Sequence, residues 1–219
     1  MHSTFTIRLF FFTLFLPTAL FAQTSADTLA ELQSNWATAN YELSGDAQIS
    51  AYETLIEQAD AAVAANPKSA ELLVWNGIIK SAFAGVRGGL SALSYAKQAK
   101  KSLEASMNIN DKVLDGSAYA SLGTLYSNVP GWPVGFGSDK KAVQLLQRAL
   151  EINPDGIDPN YFYADHLLRN KEFASAEKYL LKAQQAAPRE DQLVADAGRQ
   201  QMILVALDKV RDNLQHAGS

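Results

Sequence analysis

Cysteine is absent from all 219 residues. A lipidated N-terminal Cys, disulfide bridges and thiolate metal sites are therefore excluded, and stability must come from a packed core. Histidine is scarce, with His2, His166 and His216. No HExxH, no Gly-x-Ser-x-Gly and no paired-His metal spacing occurs. Neighbours on a helix point about 100° apart, so Asp165 does not orient His166 as a triad would. No segment alternates apolar and polar residues with the period of a strand. The formal charge of -4 leaves no basic patch for a polyanion, so nucleic acid is not an expected partner. No catalytic residue, metal or cofactor is expected, and the chain reads as a non-enzyme.

What the sequence does have begins with an apolar run from Leu9 to Phe21, preceded by Arg8 and followed by small residues. Thirteen residues span roughly 20 Å as a helix, short of the roughly 30 Å hydrocarbon core of a bilayer. The run reads as a signal peptide over residues 1–22, with cleavage after Ala22 or Ala26. The mature protein is then periplasmic or secreted, with no stable membrane span.

Four segment ends look alike: Ala64-Ala65-Asn66-Pro67, Met107-Asn108-Ile109-Asn110, Glu151-Ile152-Asn153-Pro154 and Ala186-Ala187-Pro188. They are spaced by 43, 44 and 34 residues. The last spacing is a tetratricopeptide period, and the first two are the same unit lengthened. The chain resembles the tetratricopeptide-repeat family most clearly in its final repeat. There Ala164, Phe173, Ala176, Ala183 and Pro188 stand where the family has its small, aromatic and terminating residues. Leu167 and Asn160 replace aromatic residues of the family pattern. Tyr119, Leu122, Gly123 and Tyr126, then Ala142, Leu146, Ala149 and Pro154, repeat the skeleton. Small residues allow two helices to cross closely while larger neighbours fill the surrounding space.

The expected fold is all-α: a TPR-like α-solenoid of about four helix pairs plus a C-terminal capping helix, in one domain over residues 27–219. The repeats cover about 28–67, 69–110, 113–154 and 157–188, and the cap helix 190–215, making nine helices. On the cap, Leu193, Ala197, Ile203, Leu204, Leu207, Val210 and Leu214 are expected to form the apolar stripe. Arg199, Gln201, Lys209 and Asp212 are expected to face away, as a terminal repeat needs a polar outer side.

Two repeats carry inserts, around 84–89 and over 127–139. Trp132 and Phe136 in the second either tuck beneath a stiff Gly- and Pro-rich loop or project into a pocket. Arg87 lies in the first. A phosphate loop at Gly131–Gly137 lacks the preceding strand and the Lys-Ser/Thr pair. The acidic cluster Asp155–Asp165 fails the calcium-loop spacing. Asp158 is expected as an N-cap, with Pro159 as the first helical residue. Tyr161, Asp165 and Arg169 share one helix face, which in the family lines the concave groove. They either contact a ligand there or leave Asp165 and Arg169 as an exposed ion pair. Trp132, Phe136, Tyr161, Asp165, Arg169 and Arg87 are thus the candidate ligand- or partner-binding residues.

Over Ser69 to Pro188 the chain also resembles the tetratricopeptide-type periplasmic component associated with TRAP transporters, above all in the Gly131–Gly137 loop and Tyr161-Phe162-Tyr163. That resemblance implies an envelope partner, a periplasmic solute-binding protein, and a small hydrophobic or organic-acid solute. It also implies homo-oligomers. Many members of that family are lipoproteins, and the missing Cys sets this chain apart from them. Two other readings remain: a peptide-binding scaffold for envelope assembly, and an enzyme whose pocket brings His166, Arg169 and an acidic group together.

Overall fold

The computed structural model describes residues 24–217, so the expected signal peptide over residues 1–22 lies outside the described residues. The described chain is all-helical, with α1 (Ser25–Tyr41), α2 (Gly45–Ala65), α3 (Ala70–Arg87), α4 (Gly89–Ile109), α5 (Val113–Asn128), α6 (Asp139–Ile152), α7 (Ile157–Arg169), α8 (Phe173–Gln184) and α9 (Leu193–Ala217). Successive helices pair antiparallel as α1/α2, α3/α4, α5/α6 and α7/α8, and the pairs stack as a TPR-like solenoid.

Polar residues set the helix ends. Thr24 and Asp27 form a reciprocal capping box at α1: Asp27 N donates to Thr24 Oγ1 at 3.1 Å, and Thr24 N donates to Asp27 Oδ2 at 3.2 Å. Ser69 and Ser138 cap α3 and α6 by accepting from Leu72 N and Lys141 N. The recurring Asn66, Asn110 and Asn153 occupy the C-cap positions of α2, α4 and α6.

The helices of a pair cross where a side chain is missing. A Cβ on Gly77 would lie 2.6 Å from Leu103 Cγ, and one on Gly123 would lie 2.7 Å from Leu146 Cγ. Ala99/Leu103, Ala142/Leu146 and Ala176/Leu180 recur on α4, α6 and α8, all fully buried or nearly so. Leu against a glycine thus makes the same close crossing in α3/α4 and α5/α6, and α8 repeats the buried Ala/Leu spacing.

The odd-numbered helices face inward. Contacts run from α1 to α3, α3 to α5, α5 to α7 and α7 to α9, and then from α9 back to α1, closing a ring of five inner helices. Ala195 of α9 joins the same core cluster as Leu32, Trp36, Leu72 and Trp75. The even-numbered helices sit outside this ring.

The insert around 84–89 is the joint between two helices: α3 runs on to Arg87 and α4 starts at Gly89, with Gly88 and Gly89 at φ of 61° and 65°, values that suit glycine. On α9, which starts at Leu193, the buried stripe runs through Ala195, Asp196, Arg199, Ile203, Leu207 and Val210. Leu193 and Leu204 are exposed instead of joining it, and Arg199 does not face away. The outer side of the cap is polar only in part: Gln201, Lys209 and Asp212 are exposed as expected, but Leu193, Val194, Leu204 and Val205 stand exposed with them. Closing the ring onto α1 rotates the helix away from the register its sequence suggests.

Candidate functional site

The ring encloses a cavity of about 540 Å³, lined from every inner helix, with Trp36 (α1), Trp75 (α3), Ser121 (α5), Phe162 (α7) and Arg199 (α9) among its walls. Trp36 meets Trp75 edge-on at 5.4 Å and Tyr41 at 5.6 Å between ring centroids. Burial pushes the Tyr41 hydroxyl above its ordinary pKa, and the Arg199 charge opposes that only in part.

At the wall formed by α7 and α9 lies a four-residue ion network. Arg199 Nε donates to Asp158 Oδ1 at 2.9 Å, and Arg189 Nη1 donates to Asp158 Oδ2 at 2.9 Å. Arg189 also binds Asp196 through its backbone N–H and its guanidinium. The Arg199 guanidinium sits 4.5 Å from the Tyr161 ring centroid and 4.6 Å from that of Phe162. Burial alone would raise the Asp158 pKa, but Arg199 and Arg189 outweigh it and hold the carboxyl below its usual range. Desolvation works against the Arg199 charge in the same way, and Asp158 overcomes it, so Arg199 stays firmly protonated.

Asp158 is therefore not an N-cap. Gly156 occupies that position without a side-chain bond, Ile157 begins α7, and Pro159 is its third residue rather than its first. Two arginines, 31 and 41 residues downstream, take up the carboxylate that the local pattern assigns to the helix terminus.

The sequence candidates are not gathered into one place. Tyr161 is 8 % exposed and its face is covered by Arg199, so it is a wall of the ion network. Asp165 accepts from Arg169 Nε at 2.9 Å in an i,i+4 pair on the helix surface. Phe136 is half-buried, edge-on to Tyr126 at 5.4 Å, with Lys100 Nζ 5.7 Å from its ring. Arg87 is exposed at the end of α3. Trp132 neither tucks beneath the loop nor enters a pocket: it is 89 % exposed, with Val134 also exposed beside it.

The loop that carries Trp132 is nonetheless well built. Gly135 N donates to Gly131 O, Gly137 N to Pro130 O, and Ser138 N to Tyr126 O, at 3.0, 2.9 and 2.9 Å. A side chain at Gly135 or Gly137 would overlap the backbone of Pro130 or Val129. Phe136 is the inward anchor and Trp132 the outward tip.

His166 is only 2 % exposed and lies between Ser127 Oγ and Asn170 Nδ2, each at 2.9 Å. With Asn170 donating to Nε2, Nδ1–H donates to Ser127, so His166 is a polar tie between α5 and α7. It does not line the cavity, and Arg169 points to Asp165, so the convergence an enzyme reading requires is not formed. Sequence reasoning missed a second, partly buried polar network. Asp60 accepts from Lys80 Nζ at 2.5 Å and from Asn76 Nδ2 at 2.7 Å, and Ser102 Oγ donates to Asn76 Oδ1 at 2.8 Å.

Residues 140–198 match the tetratricopeptide repeat family. That span covers nearly all of α6, then α7, α8 and the start of α9. Among solved structures the chain is similar to the crystal structure of MamA, with a TM-score of 0.44 and 16 % identity over 77 % of this chain and 92 % of that one. No curated protein matches the chain.

Proposed function

We propose that this chain is an exported, noncatalytic interaction protein that docks a protein partner through the loop bearing Trp132. The observation that carries the reading is a tryptophan 89 % exposed on a loop held in shape by three backbone hydrogen bonds and two sterically required glycines. A large amphipathic ring held ready for contact is the usual anchor of a protein interface, and little ordering entropy is lost when it docks. The tetratricopeptide match supports a protein as the kind of partner. In its finer form the proposal names a periplasmic solute-binding protein of a TRAP-type uptake system. The peptide-scaffold alternative is less well served, because α9 packs on α1 and the concave face does not run open for an extended chain.

The test is a pull-down from envelope extract with the mature chain, in wild-type, Trp132→Ala and Glu57→Ala forms. Recovery of a solute-binding protein by wild-type and Glu57→Ala, and its loss with Trp132→Ala, is the expected result. Equal recovery by both variants removes the loop from the interface.

A second reading rests on the outer side of α9. Exposed Leu193, Val194, Leu204 and Val205 favour association with a second copy of this chain. Sedimentation of wild-type against Val205→Glu decides it: a dimer or larger species lost in the variant supports self-association, and monomers in both overturn it.

A further inference from the structure

We infer that the cavity inside the helix ring is a binding site for a compact organic cation, an amine on an apolar body. The inference does not depend on the Trp132 loop. A volume of about 540 Å³ lies in the range of sites for small organic molecules. Its walls supply the apolar part through Trp75, Ile78, Leu114 and Phe162.

Charge decides the sign of the ligand. Four carboxylates line the cavity, Asp115, Asp155, Asp158 and Asp191, against two guanidiniums, Arg189 and Arg199. Both arginines are already committed, Arg199 to Asp158 and the rings of Tyr161 and Phe162, and Arg189 to Asp158 and Asp196. Asp155 is paired with Lys182. Asp115 and Asp191 remain, both exposed and neither in an ion pair among the described residues. An incoming anion would have to displace Asp158 from its arginines and meet two uncompensated carboxylates. A cation meets those same carboxylates with an aromatic wall behind it.

The backbone delivers Asp115 to this place at a cost. α5 opens with Leu114, Asp115 and Gly116 in the left-handed region, at φ of 49, 53 and 75°. Ordinary residues avoid that region, and such strain persists where the surroundings require a particular side-chain position. Gly116 suits its place, because a side chain there would be strained at φ of 75° and would press on Ile152. A bare metal ion does not suit the site, since no group of three or more ligating side chains gathers among the described residues.

The test is isothermal titration of the mature chain with phenethylamine and with 3-phenylpropionate, which have similar bodies and opposite charge. Phenethylamine is expected to bind at least about tenfold more tightly, a difference of about 1.4 kcal/mol. The Asp115→Asn/Asp191→Asn double variant keeps the helical fold, since both side chains are exposed, and is expected to lose most of that preference. Ile78→Trp, which fills the cavity, is expected to abolish binding with an unchanged far-ultraviolet circular dichroism spectrum. Phenylpropionate binding as well as phenethylamine, no phenethylamine binding at millimolar concentration, or undiminished binding by the double Asn variant overturns the assignment.

Discussion

Gly198 on α9 lies flat against the ring of Tyr41 on α1, so close that any Cβ at position 198 would overlap the ring. This contact joins the last inner helix to the first and turns a stack of helix pairs into a closed ring. It predicts that Gly198→Ala destabilises the protein by roughly 1–3 kcal/mol through overpacking, even though alanine is the better helix former. Pairing it with Tyr41→Ala should recover part of the loss contributed by the clash. Urea denaturation of the two single variants and the double variant measures the coupling.

Asp158 predicts an acid-sensitive closure. Its folded pKa is depressed, so its stabilising contribution is present above the unfolded carboxylate value, near about 4, and disappears as pH falls through the lower folded value. Thermal midpoints measured downward from pH 5 should fall, and Asp158→Asn should flatten that acid limb while lowering stability at neutral pH. Arg199→Met is the companion change, and should release α9 from α7.

Loop geometry and partner binding are separable at the Trp132 loop. Trp132→Ala should leave the unfolding free energy within about 0.5 kcal/mol of wild-type, because the side chain is in solvent. Gly137→Ala should disturb the loop itself, since its side chain has no room beside Val129. Fluorescence quenching of the exposed indole reports on that change.

The Asp60–Lys80 pair lies between α2 and α3, with the Lys80 side chain almost entirely buried and Asp60 about half exposed. Asp60→Ala leaves a buried ammonium without its counter-charge and should lower stability by roughly 1–3 kcal/mol. Lys80→Met, which removes the charge and keeps the length, should cost less. Chemical denaturation of both variants gives the order.

The proposed export predicts a measurable N-terminal end. Cleavage after Ala26 would cut into α1 and remove Thr24 from its capping box with Asp27, whereas cleavage after Ala22 leaves the box complete. Intact-mass measurement of the exported protein is therefore expected to place Gln23 at its N-terminus.

The helical repeat is legible because its determinants are local. Asn at the helix ends, Ser before α3 and α6, and a small residue four before a leucine on each outer helix can be recognised within a few residues of one another. The insert around 84–89 is legible only as added length: α3 carries Gly85 within an unbroken helix to Arg87, and Gly88 and Gly89 mark the joint.

The candidate site is far less legible. Asp158 stands beside Pro159 in a pattern that suits a cap, and nothing in that window reveals two arginines arriving from α9 and the segment before it. Arg199 is judged solvent-facing because it is charged and interrupts an apolar stripe. It is buried because Tyr161 and Phe162 supply faces for its guanidinium and Asp158 supplies the counter-charge.

Helix type, helix ends and the close crossings within pairs follow from neighbours along the chain, where capping and side-chain size act over one or two turns. Closure of the ring, the cavity it encloses and the burial of Arg199 follow only from tertiary structure. They depend on where the fifth inner helix lands after four pairs have each added their own small rotation, and on charges 41 residues apart meeting away from water.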